Sequence, residues 1–463
     1  MSSTRLALRA ARMAAVIGLA LAGFSRPAFA VGEEITDVRV LGNVRTEEAT
    51  VRSIAGVSIG DTMEIDTLDV VRDRLNTVGL FADVNVWWEP QGAGVRINIS
   101  VKDKFPWAPV PTGSWSANNK AFGLLFVHGN LFGRGKQLVL GARYAVVDSG
   151  AVVGYRDPSL FGSWIFWQLQ AFVQRGVFPE YDNTNLHDPV AFRETRLVSL
   201  AFEPAVGIAW FRRVKTQASW RIEKIDFDQS DSPENTNLIL EPSTRGGMLG
   251  IGKANLTFDF RSREFAVMRG AALAGQLDFA GPDFGGDFKY WKAAASWEHG
   301  IKLFRAHNFI YFLYGAAGKN LPFTQEAMAG GSNLRGYLYQ QFRGDTQLSA
   351  KAEYHFPLFS IGPLDFRALG FYDFSAIWFR ETMGTIVGPD AGGYTYIQRD
   401  TPDLRTLRTP TTPFGFTFDN SIHTAVGGGL RFFLRSVAVP LVGFDAGYGI
   451  EARAWRFILL VGA

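Results

Sequence analysis

Strict alternation of apolar and polar residues dominates the chain from Trp107 onward. Segment 214–223 places Val, Thr, Ala, Trp and Ile on one side of an extended strand and Lys, Gln, Ser, Arg and Glu on the other. Segment 291–298 repeats the pattern, with Trp291 and Trp297 at the two ends of its apolar side. Because side chains of a β-strand alternate between its two faces, we predict amphipathic strands here. Tryptophans that flank an apolar stretch are typical of strands that cross a lipid bilayer.

The length of this region predicts a closed barrel, to which we assign residues 105–463. It has room for about sixteen strands of ~10 residues, joined by turns and longer loops. An open sheet of this size would leave backbone groups unpaired in lipid, so the fold class is mainly β, with a closed antiparallel transmembrane β-barrel. Two polar stretches, 182–189 and 381–423, interrupt the strands and are predicted to be loops. The longer one is expected at the outer end, and its role stays open.

Residues 31–104 have the pattern of a small α/β module. Segment 35–41 is predicted to be a strand that ends at a glycine. Thr46 is expected to cap a first helix, whose first turn carries Glu47 and Glu48, because acidic residues are favourable at a helix N-terminus.

A second helix and a β-hairpin complete the predicted module. Helix 66–77 is predicted because four apolar residues fall on one helical face. These residues are Leu68, Val71, Leu75 and Val78. Segments 83–89 and 94–101 follow as a hairpin, since the second alternates branched apolar with polar residues. The predicted order is β-α-α-β-β.

The first thirty residues have the features of a secretory signal peptide. Three arginines precede an apolar run of twelve residues, 13–24, and the segment ends in Ala28-Phe29-Ala30. A membrane-spanning helix needs roughly 20 apolar residues, so this run is too short for a permanent anchor. We expect an exported protein that is cleaved after Ala30.

Composition and charge agree with export to an outer membrane. The chain has 0 Cys and 50 Gly, with 14% aromatic and 20% charged residues, a mixture that suits an outer-membrane barrel better than a soluble globule. Its formal net charge of +3 comes from the leader, since residues 1–30 contain four arginines and no acidic residue. The mature chain is nearly neutral, so nucleic acid is not indicated as a partner.

The chain carries no convincing catalytic or cofactor motif. Segment 133–136, Gly-Arg-Gly-Lys, has the look of a phosphate loop, but Asn130 and Gln137 replace residues which that loop requires. A tight turn between two strands is predicted instead. No Gly-x-Ser-x-Gly elbow occurs, and the 6 His are scattered without metal-ligand spacing. We expect no enzyme activity, cofactor or metal.

One octapeptide, residues 330–337, combines paired glycines with an arginine and an aromatic residue. Paired glycines permit a sharp turn, and Arg335 carries a rigid fork of five donors that can bind a carboxylate bidentately. The octapeptide is therefore either a loop that reaches into the barrel or a surface hairpin with an exposed arginine.

Two carboxylates in the following strands are candidate acceptors for Arg335. Asp373 lies between two aromatic residues, and it should face inward because charge on the lipid face costs about 2–4 kcal/mol near the midplane in the worst cases. Glu353 lies in the strand 348–356, where its direction is not settled by the alternation. For Asp373, the alternative is an acid solvated by water in the lumen.

Several short motifs, in order along the chain, resemble one known family. Leu41-Gly42-Asn43 and Gly79-Leu80-Phe81 resemble parts of a POTRA (polypeptide-transport-associated) domain. Residues 331–337 resemble a loop inserted into the barrel lumen, and Phe371-Tyr372-Asp373 resembles an inner-wall motif. Segments 130–135 and 155–158 resemble parts of a surface-antigen barrel. Together they resemble the outer-membrane-protein-85 superfamily, which includes the BAM and TAM assembly proteins and two-partner secretion transporters.

The resemblance implies a sixteen-stranded barrel in the bacterial outer membrane, with its sixth outer loop, at about 318–345, folded into the lumen. In this loop, Arg335 would bind Asp373 as its principal acceptor and Glu353 as a second one. The motif residues of the loop would be Gly331, Leu334, Arg335, Gly336 and Tyr337. In this family the barrel opens or thins between its first and last strands, and a POTRA domain receives clients in the periplasm.

The implied function is insertion of polypeptides into the outer membrane or their translocation across it. The implied partners are the lipid bilayer, polypeptide clients, and periplasmic chaperones or accessory lipoproteins. A passive pore or surface structural protein is the alternative, and dedicated two-partner secretion is the alternative within the family. Two features depart from the family: there is room for one POTRA domain where central assembly proteins usually have several, and the chain ends in Ala463 where an aromatic residue is common.

Overall fold

The computed structural model describes residues 31–160, 163–183, 185–211, 213–231, 246–264, 266–380, 385–387, 395–398, 405–408, 415–434 and 440–462. The predicted signal peptide, most of the predicted loop 381–423 and Ala463 lie outside the described residues. The chain divides into two compact units, and the second unit begins at Trp107.

The first unit has a three-stranded sheet and two helices. Its elements are β1 (Ile35–Leu41), α1 (Glu48–Ala55), α2 (Thr67–Thr77), β2 (Phe81–Gln91) and β3 (Gly94–Asp103). The sheet order is β1-β3-β2, with β3 parallel to β1 and antiparallel to β2. Alternate residues of β3 and one face of each helix share a core, because both elements must remove an apolar face from water. The core includes Val51, Val71, Leu75, Val95, Ile97 and Ile99.

Two details of this unit differ from the sequence prediction. The hairpin strands β2 and β3 run further than the predicted segments 83–89 and 94–101. Val78, the C-cap residue of α2, is exposed rather than buried, although its backbone angles are still helical.

The prediction that Thr46 caps α1 is wrong. Glu47 occupies the N-cap position of α1 and makes no side-chain cap hydrogen bond. The Thr46 hydroxyl instead donates to Asp103 Oδ1 at 2.5 Å. Asp103 Oδ2 accepts hydrogen bonds from the backbone N–H groups of Val44 and Arg45, both at 2.7 Å. The Asp103 carboxylate thus organises the connection between β1 and α1.

The second unit is a closed antiparallel barrel, which confirms this part of the predicted fold class. In the described part of the chain, sixteen strands of eight or more residues and the short strand β12 form the barrel. In chain order, the first twelve described strands of the barrel are β4 (Trp107–Trp115), β5 (Lys120–Leu131), β6 (Lys136–Ala145), β7 (Asp148–Asp157), β8 (Ile165–Asp182), β9 (Val190–Phe211), β10 (Val214–Asp231), β11 (Gly247–Asp259), β12 (Ser262–Glu264), β13 (Val267–Ala280), β14 (Tyr290–Leu303) and β15 (His307–Lys319).

The remaining elements include short strands that stand outside the barrel sheet. In chain order they are β16 (Ala327–Ala329), β17 (Phe342–Gly344), β18 (Thr346–Ile361), β19 (Leu364–Trp378), β20 (Thr385–Val387), β21 (Thr395–Gln398), β22 (Arg405–Arg408), α3 (Phe418–Ser421), β23 (Ile422–Leu434), β24 (Pro440–Gly449) and β25 (Ala454–Val461). β16 pairs with β17, and β20, β21 and β22 form a separate small sheet.

The barrel closes where β25 meets β4, a junction here called the seam. The seam has three residue pairs, Leu459 with Trp115, Leu460 with Ser114, and Val461 with Gly113. The adjoining junctions are longer, with nine pairs between β4 and β5 and eight between β24 and β25. The barrel is therefore closed, but the strand pairing at the seam is short.

The outer surface of the barrel is apolar and its inner surface is polar, as the alternation predicts. Trp220 of β10 and Trp291 of β14 are exposed, whereas Ser219 and Glu223 of β10 are buried. No helix in the described residues has the length and apolar character that spanning a bilayer requires. An apolar exterior on a closed barrel suits lipid, because closure pairs the backbone groups that lipid cannot hydrate.

Segment 133–136 forms the predicted turn between β5 and β6. Gly133 and Gly135 have φ of 69° and 66°, a region that favours glycine. The Gly135 N–H donates to Asn130 Oδ1 at 2.8 Å, which closes the turn. Lys136 pairs with Asp157 at 3.1 Å.

Substitution of Asp103 by Asn is expected to loosen the connection between β1 and α1. Burial alone would raise the pKa of Asp103, but hydrogen bonds from Arg45, Thr46 and Val44 outweigh it and lower the pKa. A carboxyl whose pKa falls on folding stabilises the fold above its unfolded pKa, about 4, and this contribution is lost as the pH falls through the folded value. Amide exchange of this connection, measured on the full-length protein, should accelerate roughly tenfold at pH 7 in D103N.

In the unsubstituted protein, the same acceleration should occur only below about pH 4. The matched control is Asp66→Asn, because Asp66 stands at the N-cap of α2 without a side-chain cap hydrogen bond. Equal protection of the connection in D103N and D66N would contradict this role for Asp103.

Candidate functional site

The segment between β15 and β18, residues 320–345, is here called the inserted loop. Its short strands β16 and β17 pair with each other. Leu334 and Tyr337, from the predicted motif, are almost completely buried. They share an apolar cluster with Ile377 of β19 and Ala425 of β23. The inserted loop therefore folds against the inner wall of the barrel.

Glycines in the inserted loop and in β24 let the two backbones touch. Gly331 and Gly336 have φ of 69° and 101°, which residues with side chains rarely adopt. A Cβ on Gly336 would lie 2.5 Å from the Gly449 nitrogen, and a Cβ on Gly447 would lie 2.9 Å from the Gly336 nitrogen. A side chain at any of these contact positions would push the loop away from β24.

Arg335 binds Asp373 of β19 through three hydrogen bonds. Its Nε and Nη2 donate to Asp373 Oδ2 and Oδ1 at 2.7 and 2.6 Å, and its backbone N–H donates to Oδ2 at 3.0 Å. Arg335 is 3% exposed and Asp373 is 0% exposed. The Cζ atom of Arg335 lies 3.4 Å from the centroid of the Phe371 ring. A bidentate pair with a stacked ring fixes the guanidinium plane, which the ammonium group of lysine would not do.

Two further carboxylates surround the same guanidinium. Arg335 Nη1 donates to Glu353 Oε1 of β18 at 2.7 Å and lies 3.5 Å from Asp445 Oδ2 of β24. The other Glu353 oxygen lies 2.7 Å from His355 Nε2. Both acceptors expected from the sequence thus lie against Arg335, and the Glu353 side chain faces the interior.

Asp445 is an acceptor that the sequence pattern did not predict. It binds Arg431 of β23 bidentately, with distances of 2.6 and 2.9 Å. Glycines leave the space for this pair, since a Cβ on Gly429 would overlap Asp445 Oδ1 and a Cβ on Gly443 would crowd Arg431. The available signal was a single acid among the alternating glycines of β24, because a charge there requires a buried partner.

The charges around Arg335 balance. Lys351, opposite Asp373 in the β18–β19 register, donates to the backbone carbonyl of Ser332 in the inserted loop at 2.9 Å. The six residues of this Arg335 cluster are Arg335, Lys351, Arg431, Glu353, Asp373 and Asp445. Three cations therefore face three carboxylates, and removal of one member leaves a buried charge without compensation.

Tyr337 makes a second anchor, near the start of β23. Its hydroxyl contacts the Glu451 carboxylate and donates to the Thr424 carbonyl at 3.1 Å. Glu451 also accepts the Thr424 N–H at 2.8 Å. The Tyr337 ring meets Phe342 edge-on, and Phe342 stacks on His423 with 3.6 Å between ring centroids. Tyr337 is thus held through its hydroxyl, which contacts Glu451 and Thr424, and through its ring, which packs on Phe342.

Two asparagines hold the inserted loop at a different part of the wall. Asn118, in the β4–β5 turn, accepts from the Tyr339 N–H at 2.9 Å and donates to the Tyr339 carbonyl at 3.1 Å. Asn183, after β8, accepts from the Gln341 side chain at 3.1 Å and donates to its carbonyl at 3.3 Å. The inserted loop therefore contacts both β24 and the β4–β5 turn, which lie on the two sides of the seam.

The histidines near the cluster have structural surroundings. His355 contacts Glu353, and His423 lies under Phe342. Within the described ranges, no group of three or more His, Asp or Glu residues is placed to hold a metal ion. The arrangement is suited to holding a loop through charge pairing.

Substitution of Arg335 is expected to free the inserted loop. Arg335→Ala leaves Asp373 buried without its partner, at a cost of about 3–5 kcal/mol to the docked loop. Arg335→Lys keeps the charge but loses the bidentate geometry, so an intermediate effect is expected. Because the chain has 0 Cys, a Leu338→Cys variant reports loop exposure through its labelling rate with a membrane-impermeant maleimide.

Labelling of Leu338→Cys should be fastest together with Arg335→Ala, intermediate with Arg335→Lys and slowest when Arg335 is kept. Arg269→Ala, at an exposed arginine of β13, is the matched control and should leave the rate unchanged. Equal labelling of Leu338→Cys with and without Arg335 would show that the cluster does not hold the loop.

Comparison with known proteins identifies the family. The model for the Omp85 superfamily domain matches residues 130–433, well over half of the chain. No curated protein sequence matches this chain. Among solved structures, BamA from Haemophilus ducreyi lacking POTRA domains 1-3 is similar, with a TM-score of 0.60 and 13% identity over 93% of this chain and 84% of that one.

Two structures of CdiB show the same architecture. CdiB from Escherichia coli has a TM-score of 0.59 and 12% identity over 93% of this chain and 76% of its own. CdiB from Acinetobacter baumannii has a TM-score of 0.57 and 13% identity over 93% and 74%. At these identities the structures show a shared fold, while the family model confirms the resemblance drawn from the motifs. This chain is an outer-membrane β-barrel of the Omp85 superfamily.

Proposed function

We propose that this chain moves polypeptides into or across the bacterial outer membrane, and that its first unit is a periplasmic POTRA domain that receives them. One observation carries the proposal: the seam has three residue pairs, and the inserted loop bridges its two sides from within. A barrel that served only as a permanent pore would need neither a short seam nor an inserted loop that bridges the two sides of the seam.

Polar contacts hold the inserted loop on both sides of the seam, in addition to the apolar cluster of Leu334 and Tyr337. On the β24 side the loop is held by the Arg335 cluster and by the contact between Gly336 and Gly449. On the β4 side it is held by Asn118. Hydrogen bonds such as those of Asn118 can be exchanged for bonds to water or to a client at a net cost of about 1 kcal/mol each, whereas the charges of the Arg335 cluster must gain water or new charged partners when the loop is released. Release of the loop would therefore weaken the seam without unfolding the barrel.

The first unit supplies a sheet edge for an extended client. The outer edge of β1 is partly occupied, since Ile35 N–H donates to the Asp61 carbonyl at 2.8 Å and Gly60 N–H donates to the Ile35 carbonyl at 2.9 Å. β2 forms the other edge and carries the exposed side chain of Trp87. Strand addition at β2 would supply main-chain hydrogen bonds with little dependence on the client sequence. We therefore expect the edge of β2 to accept unfolded segments of many different sequences.

A passive pore is the competing function, and conductance distinguishes the two. The inserted loop occupies the lumen, so the purified protein in planar bilayers is expected to give small, flickering currents. Arg335→Ala should raise the mean conductance severalfold, because it frees the loop, while Arg269→Ala should not. A large and steady conductance in the unsubstituted protein would favour a pore.

Client folding tests the proposed function directly. The client is a urea-unfolded copy of residues 107–463, added to liposomes that contain the full-length protein, and its folding is followed by heat-modifiable migration on gels. The full-length protein should accelerate this folding over empty liposomes, and Arg335→Ala should remove most of the acceleration while its own barrel and first unit remain folded. Full acceleration by Arg335→Ala, with normal migration of that variant, would contradict the role of the inserted loop.

A further inference from the structure

Basic residues are concentrated at one end of the barrel, on three neighbouring turns here called the basic rim. The rim comprises Arg213 in the β9–β10 turn and the segments 259–269 and 298–307 around the next two turns. It has twice as many basic as acidic residues, and the basic ones are Arg213, Arg261, Arg263, Arg269, Lys302 and Arg305. The flanking turns, 158–164 and 362–363, contain no charged residue. In the strand order, the basic rim lies opposite the seam.

The acidic residues of the basic rim are already bound by basic residues of the same rim. The pairs are Asp259 with Arg261 at 2.8 Å, Glu298 with Arg261, and Glu264 with Lys302 at 2.9 Å. Within the described ranges, Arg213 makes no ion pair, and its Cζ atom lies 5.7 Å from the centroid of the exposed Phe260 ring. The charge of Arg213 is therefore available to an anion outside the protein.

Exposed aromatic residues place the basic rim at the level of lipid headgroups. Trp164 and Trp210 meet edge-on with 6.3 Å between ring centroids, and Phe304 lies in the β14–β15 turn. Such residues are typical of the boundary between lipid chains and water. Connections at this end are short, whereas the inserted loop leaves the other end, and short turns face the periplasm in outer-membrane barrels. The basic rim therefore meets the headgroups of the periplasmic leaflet.

An apolar groove of about 1210 Å³ crosses the outer surface of the same wall. Its floor follows one row of paired residues over six neighbouring strands: Ile208, Thr216, Leu256, Gly275, Ala295 and Gly315. Neighbouring strands are about 4.8 Å apart, so the row is roughly 24 Å long. The groove begins beside the basic rim, because Thr216 follows Arg213 by three residues and accepts a hydrogen bond from Trp210 Nε1 at 2.8 Å.

The apolar groove rises from the basic rim into the depth of the bilayer. Its row starts at Ile208, close to the rim end of β9, and reaches Gly315, which is closer to the opposite end of β15. The chains of one leaflet occupy about 15 Å, half of the hydrocarbon thickness, so the groove is long enough for an acyl chain. Its floor is open at Gly275, where a Cβ would have no atom within 4 Å.

We propose that the outer surface of β9–β15 holds one anionic phospholipid of the periplasmic leaflet, with its phosphate at Arg213 and an acyl chain in the apolar groove. Charge complementarity identifies the headgroup, because clustered basic residues at a membrane surface attract anionic lipids. The apolar lining of the groove identifies the chain. The bound lipid holds the wall opposite the seam at a fixed depth. This inference goes beyond the proposed function and does not depend on polypeptide transport.

Native mass spectrometry of the full-length protein tests this lipid site. The protein is released from nanodiscs that contain phosphatidylglycerol and phosphatidylethanolamine in equal amounts with identical acyl chains, and each retained lipid is counted. Arg213→Gln removes the headgroup partner, and Lys289→Gln, at an exposed lysine near the other end of the barrel, is its matched control. Gly275→Leu fills the groove, and Gly370→Leu in β19 is its matched control, because a Cβ there also meets open space.

We expect the unsubstituted protein to retain phosphatidylglycerol in preference to phosphatidylethanolamine. Arg213→Gln should lower this preference about fivefold, the factor expected for one basic residue near an anionic lipid surface. Gly275→Leu should lower the retention of both lipids severalfold and leave the preference unchanged, because it removes only chain contacts. Lys289→Gln and Gly370→Leu should match the unsubstituted protein.

Equal retention of the two lipids by the unsubstituted protein, or an unchanged preference in Arg213→Gln, would overturn the headgroup site. Equal retention by Gly275→Leu and Gly370→Leu would overturn the chain site. Absence of any retained lipid would overturn the whole inference and favour a protein partner in the groove. Heat-modifiable migration identifies the variants that fold, and the comparison of the two lipids on the unsubstituted protein does not depend on any substitution.

Discussion

The ion pair between Arg335 and Asp373 is the constraint on which the interior of this barrel depends. A buried guanidinium needs carboxylate partners in a fixed plane, so β18, β19 and β24 must bring Glu353, Asp373 and Asp445 to one place. The pair also sets the course of the inserted loop, because the Arg335 backbone N–H binds the same carboxylate. Glycines in β24 then allow the loop backbone to reach the wall. The loop position, the wall composition and the charge balance all follow from one buried arginine.

Closure of the barrel imposes a second constraint, which acts against the proposed transport. Lipid cannot satisfy backbone hydrogen bonds, so the barrel must close, yet a polypeptide can enter the bilayer only where the wall separates. The seam meets both demands with three residue pairs. Contacts of the inserted loop with β24 and with Asn118 supply part of the closure from inside. Water can replace the hydrogen bonds of Asn118, whereas release of the loop from the wall would also expose the apolar cluster of Leu334 and Tyr337.

Much of the architecture could be predicted from local pattern, whereas several partners could not. Alternation predicts the strands and their two faces, and buried charge in a lipid-spanning strand indicates that Asp373 faces inward. Asp445 is 110 residues from Arg335 in sequence, and no local pattern connects them. Thr46 has the residue type of a helix cap, but its hydroxyl binds Asp103, which β3 brings from 57 residues away. The capping propensity of Thr46 was overridden there, because its hydroxyl donates to the Asp103 carboxylate and Glu47 takes the N-cap position.

The sequence by itself determined the class of structure, because the period of apolar residues and the absence of cysteine are local or compositional properties. It also determined which residues could carry the chemistry of the site, since only a guanidinium can bind several carboxylates in one plane. The tertiary structure decided which carboxylates meet Arg335, how Asn118 and β24 are joined across the seam, and how short the seam is. These depend on the register and stagger of strands far apart in sequence, and that geometry exists only after the barrel closes.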